Sequence, residues 1–301
     1  MNKNRLSLLF SLFFTIGASF AFAEIEYTTG NHFYRNDAEF GYVLKIGYSG
    51  PCSGTVAQGK TWTEENNILI GCCPNNIEPT YINIYGTANT TKNVYVGGDY
   101  RAGHCLVDGG TWDCGGFFRL GVRMTSSLTL ENGGNLTAND GFQISFGSTA
   151  NVKDSSTLTL VTNADGEFGA NGGILSYFGE HFINLDSASN LVVDASKYTN
   201  TSDEFVLKNL ITVRTENSAV LSGLSLTVGG EKFNAGDQTA LNKHLSGITV
   251  EGFEDYAKRF VVNESTQTVD LYLSKIPEPS AFGLIAGTGI LALVAIRRRR
   301  K

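Results

Sequence analysis

The residues best equipped to bond covalently, hold a metal or move a proton are five cysteines, four histidines and scattered carboxylates in a chain of 301 residues. Cys52, Cys72, Cys73, Cys105 and Cys114 all lie in its first half. In an oxidising compartment such thiols pair, but five cannot all pair within one chain, so one is left over. Cys105 and Cys114, nine apart across Gly109-Gly110, are spaced to close a turn. Cys52 with Cys72 or Cys73 is the other candidate bridge, because the adjacent pair would form a strained ring with each other. The alternative is a zinc site built from His104, Cys105 and Cys114 with Cys72 or Cys73. That spacing matches no paired Cys-x-x-Cys framework, and His32, His104, His181 and His244 are scattered. No metal or cofactor is therefore expected.

General acid–base chemistry on a sugar polymer needs clustered carboxylates, or a base beside an arginine. Asp99, Arg101, Asp108, Asp113 and Arg119 are the candidates. Asp99 and Arg101 are two apart and would share one face of a strand. Asp108 and Asp113 flank Gly109-Gly110, and Asp beside Gly is also ordinary turn chemistry. The chain has no Gly-x-Ser-x-Gly, His-Glu-x-x-His, phosphate-loop or dinucleotide pattern. Turn chemistry is the expected role of these residues, and no catalytic residue is assigned.

The elements that must position them are strands. Residues 24–276 are rich in Gly, Asn, Ser and Thr and show no long helical periodicity. Short alternating runs recur instead, such as Leu128-Thr129-Leu130, Leu158-Thr159-Leu160 and Leu224 to Val228, with Gly-Gly pairs between them. Alternation buries one face of each strand, and glycine supplies the corners. Leu120, Leu128, Leu136, Ile144, Val152, Leu160 and Phe168 recur at a constant step of eight. Three such steps make one coil of a three-sided parallel β-helix, in which inward residues stack into ladders. The expected fold is all-β: a parallel β-helix (β-solenoid) over 91–273, with a β-rich, aromatic N-terminal cap over 24–90. A short helical or looped insert is expected over 231–260. An antiparallel β-sandwich is the alternative. In texture the middle of the chain resembles β-helical, autotransporter-type surface proteins.

The two ends set the destination. Lys3 and Arg5 precede an apolar stretch from Leu6 to Ala18, and Ala21-Phe22-Ala23 follows. This is the three-part form of a cleaved secretory signal over 1–23, with Ala21 and Ala23 at the cleavage site. At the other end Pro277-Glu278-Pro279 closes a short linker, 274–279. An uncharged apolar run, 280–296, comes next, then Arg297, Arg298, Arg299, Arg300 and Lys301. As a helix this run spans roughly 25 Å at ~1.5 Å per residue, slightly short of a bilayer core, a deficit that snorkelling arginines can cover. The basic tail stays cytoplasmic, which puts the bulk of the chain outside. The two prolines hold the linker extended. On these residues the tail resembles the PEP-CTERM sorting signal of Gram-negative bacteria. The resemblance covers only the stretch from Pro277 to Lys301. It implies export, transient anchoring in the inner membrane, processing by an exosortase, and association with the outer surface and exopolysaccharide.

Between the ends, residues 24–279 carry 16 Lys and Arg against 29 Asp and Glu. A body that acidic repels phosphate backbones, so nucleic acid is not an expected partner. The expected partners are the secretion machinery and exosortase, the membrane through the C-terminal helix, and exopolysaccharide. The first expectation is a non-catalytic surface protein that adheres to or organises extracellular polysaccharide. A secreted β-helix lyase or hydrolase and a self-associating envelope structural protein are the alternatives.

Overall fold

The computed structural model describes residues 25–27, 32–48, 50, 52–71, 78–98, 101–162, 174–176, 181–198, 204–213, 224–228, 231–234, 248–263 and 268–276. All the regular elements among them are strands. The signal segment, Pro277-Glu278-Pro279, the 280–296 span and the basic tail lie outside the described residues, as do Cys72, Cys73 and Asp99. Among the described residues no helix is long and apolar enough to cross a membrane.

The chain opens with β1 (Glu26–Tyr27), β2 (His32–Asp37) and β3 (Gly41–Ile46). Three strands per coil follow. The first coil is β4 (Ser53–Val56), β5 (Thr61–Glu64) and β6 (Asn67–Ile70). The second is β7 (Thr80–Ile84), β8 (Thr87–Thr90) and β9 (Val94–Val96). The third is β10 (Gly103–Asp108), β11 (Thr111–Cys114) and β12 (Phe118–Leu120). The fourth is β13 (Ser127–Glu131), β14 (Asn135–Ala138) and β15 (Phe142–Ile144). Less regular coils continue with β16 (Thr149–Val152), β17 (Thr157–Val161) and β18 (Ile174–Ser176), then β19 (His181–Leu185), β20 (Asn190–Asp194) and β21 (Glu204–Val213). The chain then runs through β22 (Leu224–Val228), β23 (Glu231–Asn234), β24 (Ile248–Glu251), β25 (Tyr256–Asn263) and β26 (Thr268–Lys275).

Equivalent strands stack in parallel. The first face is β4-β7-β10-β13-β16-β19-β22, the second β5-β8-β11-β14-β17-β20-β24, and the third β3-β6-β9-β12-β15. The result is a three-sided β-solenoid with about four regular turns. Parallel pairing between successive coils excludes the β-sandwich alternative, whose strands would run antiparallel.

Period-2 alternation explains the packing. On the first face Ile82, Cys105, Leu128, Ala150 and Ile183 stand in register and point inward. On the second face Trp62, Ala88 and Trp112 form a large–small–large column. The two indoles lie 6.5 Å apart, on either side of Ala88. The third face contributes Phe118 stacked on Phe142 at 5.6 Å. Each fully buried large side chain contributes roughly 1.5–3 kcal/mol by leaving water.

Six of the seven residues in the eight-residue phase are buried, Leu120 through Leu160; Phe168 lies outside the described residues. The coil length is not constant, however. Leu120 pairs with Ile144, but Leu128 pairs with Ala150 and Leu130 with Val152, a step shorter by two. A slip of two keeps every side chain on its face, whereas a slip of one would turn the ladder inside out. The coil length therefore changes here by an even step, without cost to the core.

One corner is a glycine column. Gly71, Gly97 and Gly121 each follow the last residue of a third-face strand and carry φ of +80°, +79° and +78°. A Cβ on Gly121 would lie 2.1 Å from the Ser145 carbonyl oxygen of the next coil. Only glycine meets both demands.

The expected boundaries need two corrections. Parallel stacking begins at β3 and β4, so the strands β3 to β8 already belong to the coils. The N-terminal cap is β1 on β4 and β2 on β3, both antiparallel. Aromatic spacing alone made this segment look separate, because its register steps are longer: Gly54 pairs with Ile82, whereas Ile82 pairs with Cys105 after a shorter interval. Nor is 231–260 helical among its described residues. β23 folds back on β22, β24 extends the second face, and β25 pairs with β26.

Candidate functional site

The fold separates most of the reactive residues. Cys105 and Cys114 are both buried and free, on the first and second faces of one coil. The bridge expected between them is not formed. Each sits four or more positions from the Gly109-Gly110 corner, roughly 13 Å along its strand. The two strands diverge from that corner, and a disulfide needs Cα atoms within about 7 Å. Burial pushes both thiols up, Cys114 to about 12. Cys52 is also buried, and its candidate partners Cys72 and Cys73 lie outside the described residues. His104 and Cys105 are adjacent on a strand and so point to opposite sides of the sheet. That alternation breaks the His104–Cys105–Cys114 zinc set. Among the described residues no three His, Cys, Asp or Glu side chains converge on one point.

The acid–base candidates are dispersed too. Arg101 is fully buried. Asp108 ends β10 on the first face and accepts a hydrogen bond from Asn132 Nδ2 at 2.7 Å. Asp113 faces outward from the second face and accepts one from Asn139 Nδ2 at 2.5 Å. Arg119 belongs to the third face. The two aspartate bonds link one coil to the next, Asp108 from the end of β10 and Asp113 from within β11. Asp99 lies outside the described residues.

What the fold does assemble is the outer side of the first face. In-register strands present Tyr81 beside His104 beside Ser127, and Asn83 beside Leu106 beside Thr129. Asn151 and Asn184 extend the second of these rows. They border a shallow open depression of about 490 Å³, continued by a second of about 340 Å³. Tyr81 is 45% exposed, and its ring stacks on His104 at 5.2 Å between centroids. His104 Nδ1 lies 2.7 Å from Ser127 Oγ. Partial burial holds the imidazole below its ordinary value. Farther along, Asn184 Nδ2 donates to Asn151 Oδ1 at 2.8 Å, which aligns two amides of successive coils. Lys153 Nζ lies 2.7 Å from Glu131 Oε2, and hydrogen bonding to that carboxylate raises the ammonium. Asp186 Oδ2 accepts the Asp154 N–H at 2.8 Å and Oδ1 the Ala188 N–H at 3.0 Å. Burial tends to raise that carboxyl, but these bonds outweigh it and hold it low.

Chemically this is a strip with an aromatic platform at one end and a row of amides, hydroxyls and charges beyond it. Strand spacing of about 4.8 Å per coil carries it across four or more coils. Such a strip can lie against a chain of hydroxylated rings: the tyrosine face takes apolar C–H surface, and the amides and hydroxyls exchange hydrogen bonds with hydroxyls. Tyr81 and His104 were not singled out for this role by sequence. They stand a full coil apart in the chain, and the only signal was the matching step from Cys105 to Leu128. No protein family, no curated protein and no solved structure matches the chain.

Proposed function

We propose that the chain is an exported, exosortase-sorted cell-surface protein that binds extracellular polysaccharide without catalysis. Its first face is the contact surface. The observation that carries the binding role is the open strip from Tyr81 and His104 to Asn184, which offers ring stacking and amide hydrogen bonds in repeating rows. Export and sorting rest on the sequence: the leader ending at Ala23, Pro277-Glu278-Pro279, the apolar run and the terminal arginines. A repetitive solenoid suits a repetitive ligand, because each coil adds a similar contact and weak contacts accumulate along one chain.

The non-catalytic reading is favoured by how the carboxylates on this face are used. Glu131 is engaged by Lys153, Asp108 by Asn132 and Asp186 by backbone N–H groups. The test is co-sedimentation of the purified protein with insoluble polysaccharide, alongside Tyr81→Ala. Tyr81 is exposed, so its loss should leave folding intact and cut retention about fivefold or more, from ~1 kcal/mol of aromatic contact. Equal retention of both proteins would overturn the assignment of this face, and release of soluble sugar fragments would establish an enzyme instead.

A further inference from the structure

We infer that the first-face strip selects a neutral polysaccharide and rejects a polyanionic one. The inference rests on the reading of that face as a polysaccharide surface and goes further by fixing the charge class of the ligand. The observation is a row of charges along the downstream edge of the strip. Asp108 is the register partner of Glu131. Lys153 follows Val152, the partner of Leu130, so it stands beside Glu131; Asp186 follows Leu185, the partner of Val152. The row reads Asp108, Glu131, Lys153, Asp186, with three carboxylates and one ammonium.

Among the described residues that line the strip, Lys153 is the cation, and its charge is already taken by Glu131 at 2.7 Å. A uronate or sulfate laid along this row would meet Asp108 and Asp186 with no cation to answer it. Like charges brought together at an interface cost several kcal/mol. His104 does not change the balance at neutral pH, because partial burial disfavours its charged form. The residues that do offer contacts are Tyr81, Asn83, Thr129, Asn151 and Asn184, which are neutral donors, acceptors and ring surface. Excess acid over the whole exported body, 29 Asp and Glu against 16 Lys and Arg over residues 24–279, acts in the same sense at longer range.

The experiment compares three soluble polymers at low ionic strength: hydroxyethyl cellulose (neutral), alginate (a polyuronate) and chitosan oligomers (cationic). Affinity electrophoresis is run on the intact protein, on Tyr81→Ala and on Glu131→Gln. The expected result is that the neutral polymer binds at least tenfold more tightly than alginate, through Tyr81, while the acidic body holds chitosan by charge whether or not Tyr81 is present. Glu131→Gln should free the Lys153 ammonium and raise alginate binding roughly threefold to fivefold relative to neutral-polymer binding. Alginate bound as tightly as the neutral polymer, and through Tyr81, would overturn the charge-class inference while leaving the polysaccharide face standing. Binding of none of the three polymers, or neutral-polymer binding indifferent to Tyr81→Ala, would overturn the face itself and the inference with it.

Discussion

Cys105 sits between Ile82 and Leu128 in an inward ladder, and Cys114 between Thr90 and Ala138. A thiol so placed behaves as a small apolar side chain, and burial, the largest influence on Cys114, lifts it to about 12. The expected outcome with iodoacetamide at mildly alkaline pH is no modification of either thiol in the folded protein. Labelling of Cys114 should be slower than that of an open thiol by on the order of a thousandfold. Both should label once urea unfolds the chain. Peptide mapping that finds Cys105 or Cys114 alkylated in the native protein would mean that the coils open far more easily than this packing allows. The cysteine pairing was not legible in the sequence. Spacing across Gly109-Gly110 suggested a turn that brings the two thiols together, whereas the corner of a triangular coil moves them apart. Asp108 and Asp113 were read as turn-flanking acids; Asp108 does end β10 beside the corner, but Asp113 lies within β11, and both accept side-chain bonds from the following coil, from Asn132 and Asn139.

At the scale of the element, the unit is a strand followed by a forced corner. The third-face strands β6, β9 and β12 end in Ile70, Val96 and Leu120, each followed by a glycine at positive φ. The position tolerates no side chain, since a Cβ at Gly121 would press on the Ser145 carbonyl and the Ser148 hydroxyl. Gly121→Ala is therefore expected to destabilise the fold by about 2–4 kcal/mol, the sum of a left-handed alanine and a local clash. Urea unfolding at fixed m-value measures it. A midpoint unchanged from the parent protein would refute the stacked corner. The alternation of β13 and β17 was readable from Leu128-Thr129-Leu130 and Leu158-Thr159-Leu160, because period 2 is a local property. Strand identity before residue 91 was harder. Trp62 and Trp112 hold the same phase two coils apart, in Thr61-Trp62-Thr63-Glu64 and Thr111-Trp112-Asp113-Cys114, but coils of unequal length conceal such a match. The end strands were missed because antiparallel capping by β2 and β23 depends on which edges the stack leaves open, and no window of sequence shows an edge.

For the whole molecule, three faces serve different ends. The interior is a continuous apolar ladder, closed near its start by polar groups. Glu64, inward and buried, accepts the Tyr34 hydroxyl at 2.6 Å and the Asn66 N–H at 2.9 Å. The third face carries a second apolar cluster of Phe40, Val43, Leu69 and Val122, with the part-buried Lys45–Asp37 ion pair next to it at 2.5 Å. Among the described residues the first face is left open, and it is the one the proposed function uses. Under the proposed sorting role, reaching the cell surface depends on the tail. Pro277→Ala combined with Pro279→Ala is expected to hold the full-length chain in the inner-membrane fraction, because a helix that continues through the linker removes the extended segment a processing enzyme needs. Fractionation that finds this variant at the surface, trimmed like the parent, would contradict the sorting role.

Hydroxyl-radical footprinting of the intact protein, with and without hydroxyethyl cellulose, tests the polysaccharide face most directly. Tyr81 and Tyr42 are both exposed, 45% and 54%, but Tyr81 lies on the first face and Tyr42 in the hairpin of β2 and β3. Bound polymer should protect Tyr81 and His104 severalfold and leave Tyr42 unchanged. Protection of Tyr42 with Tyr81 still fully reactive, or bound polymer that shields neither, would contradict a first-face contact.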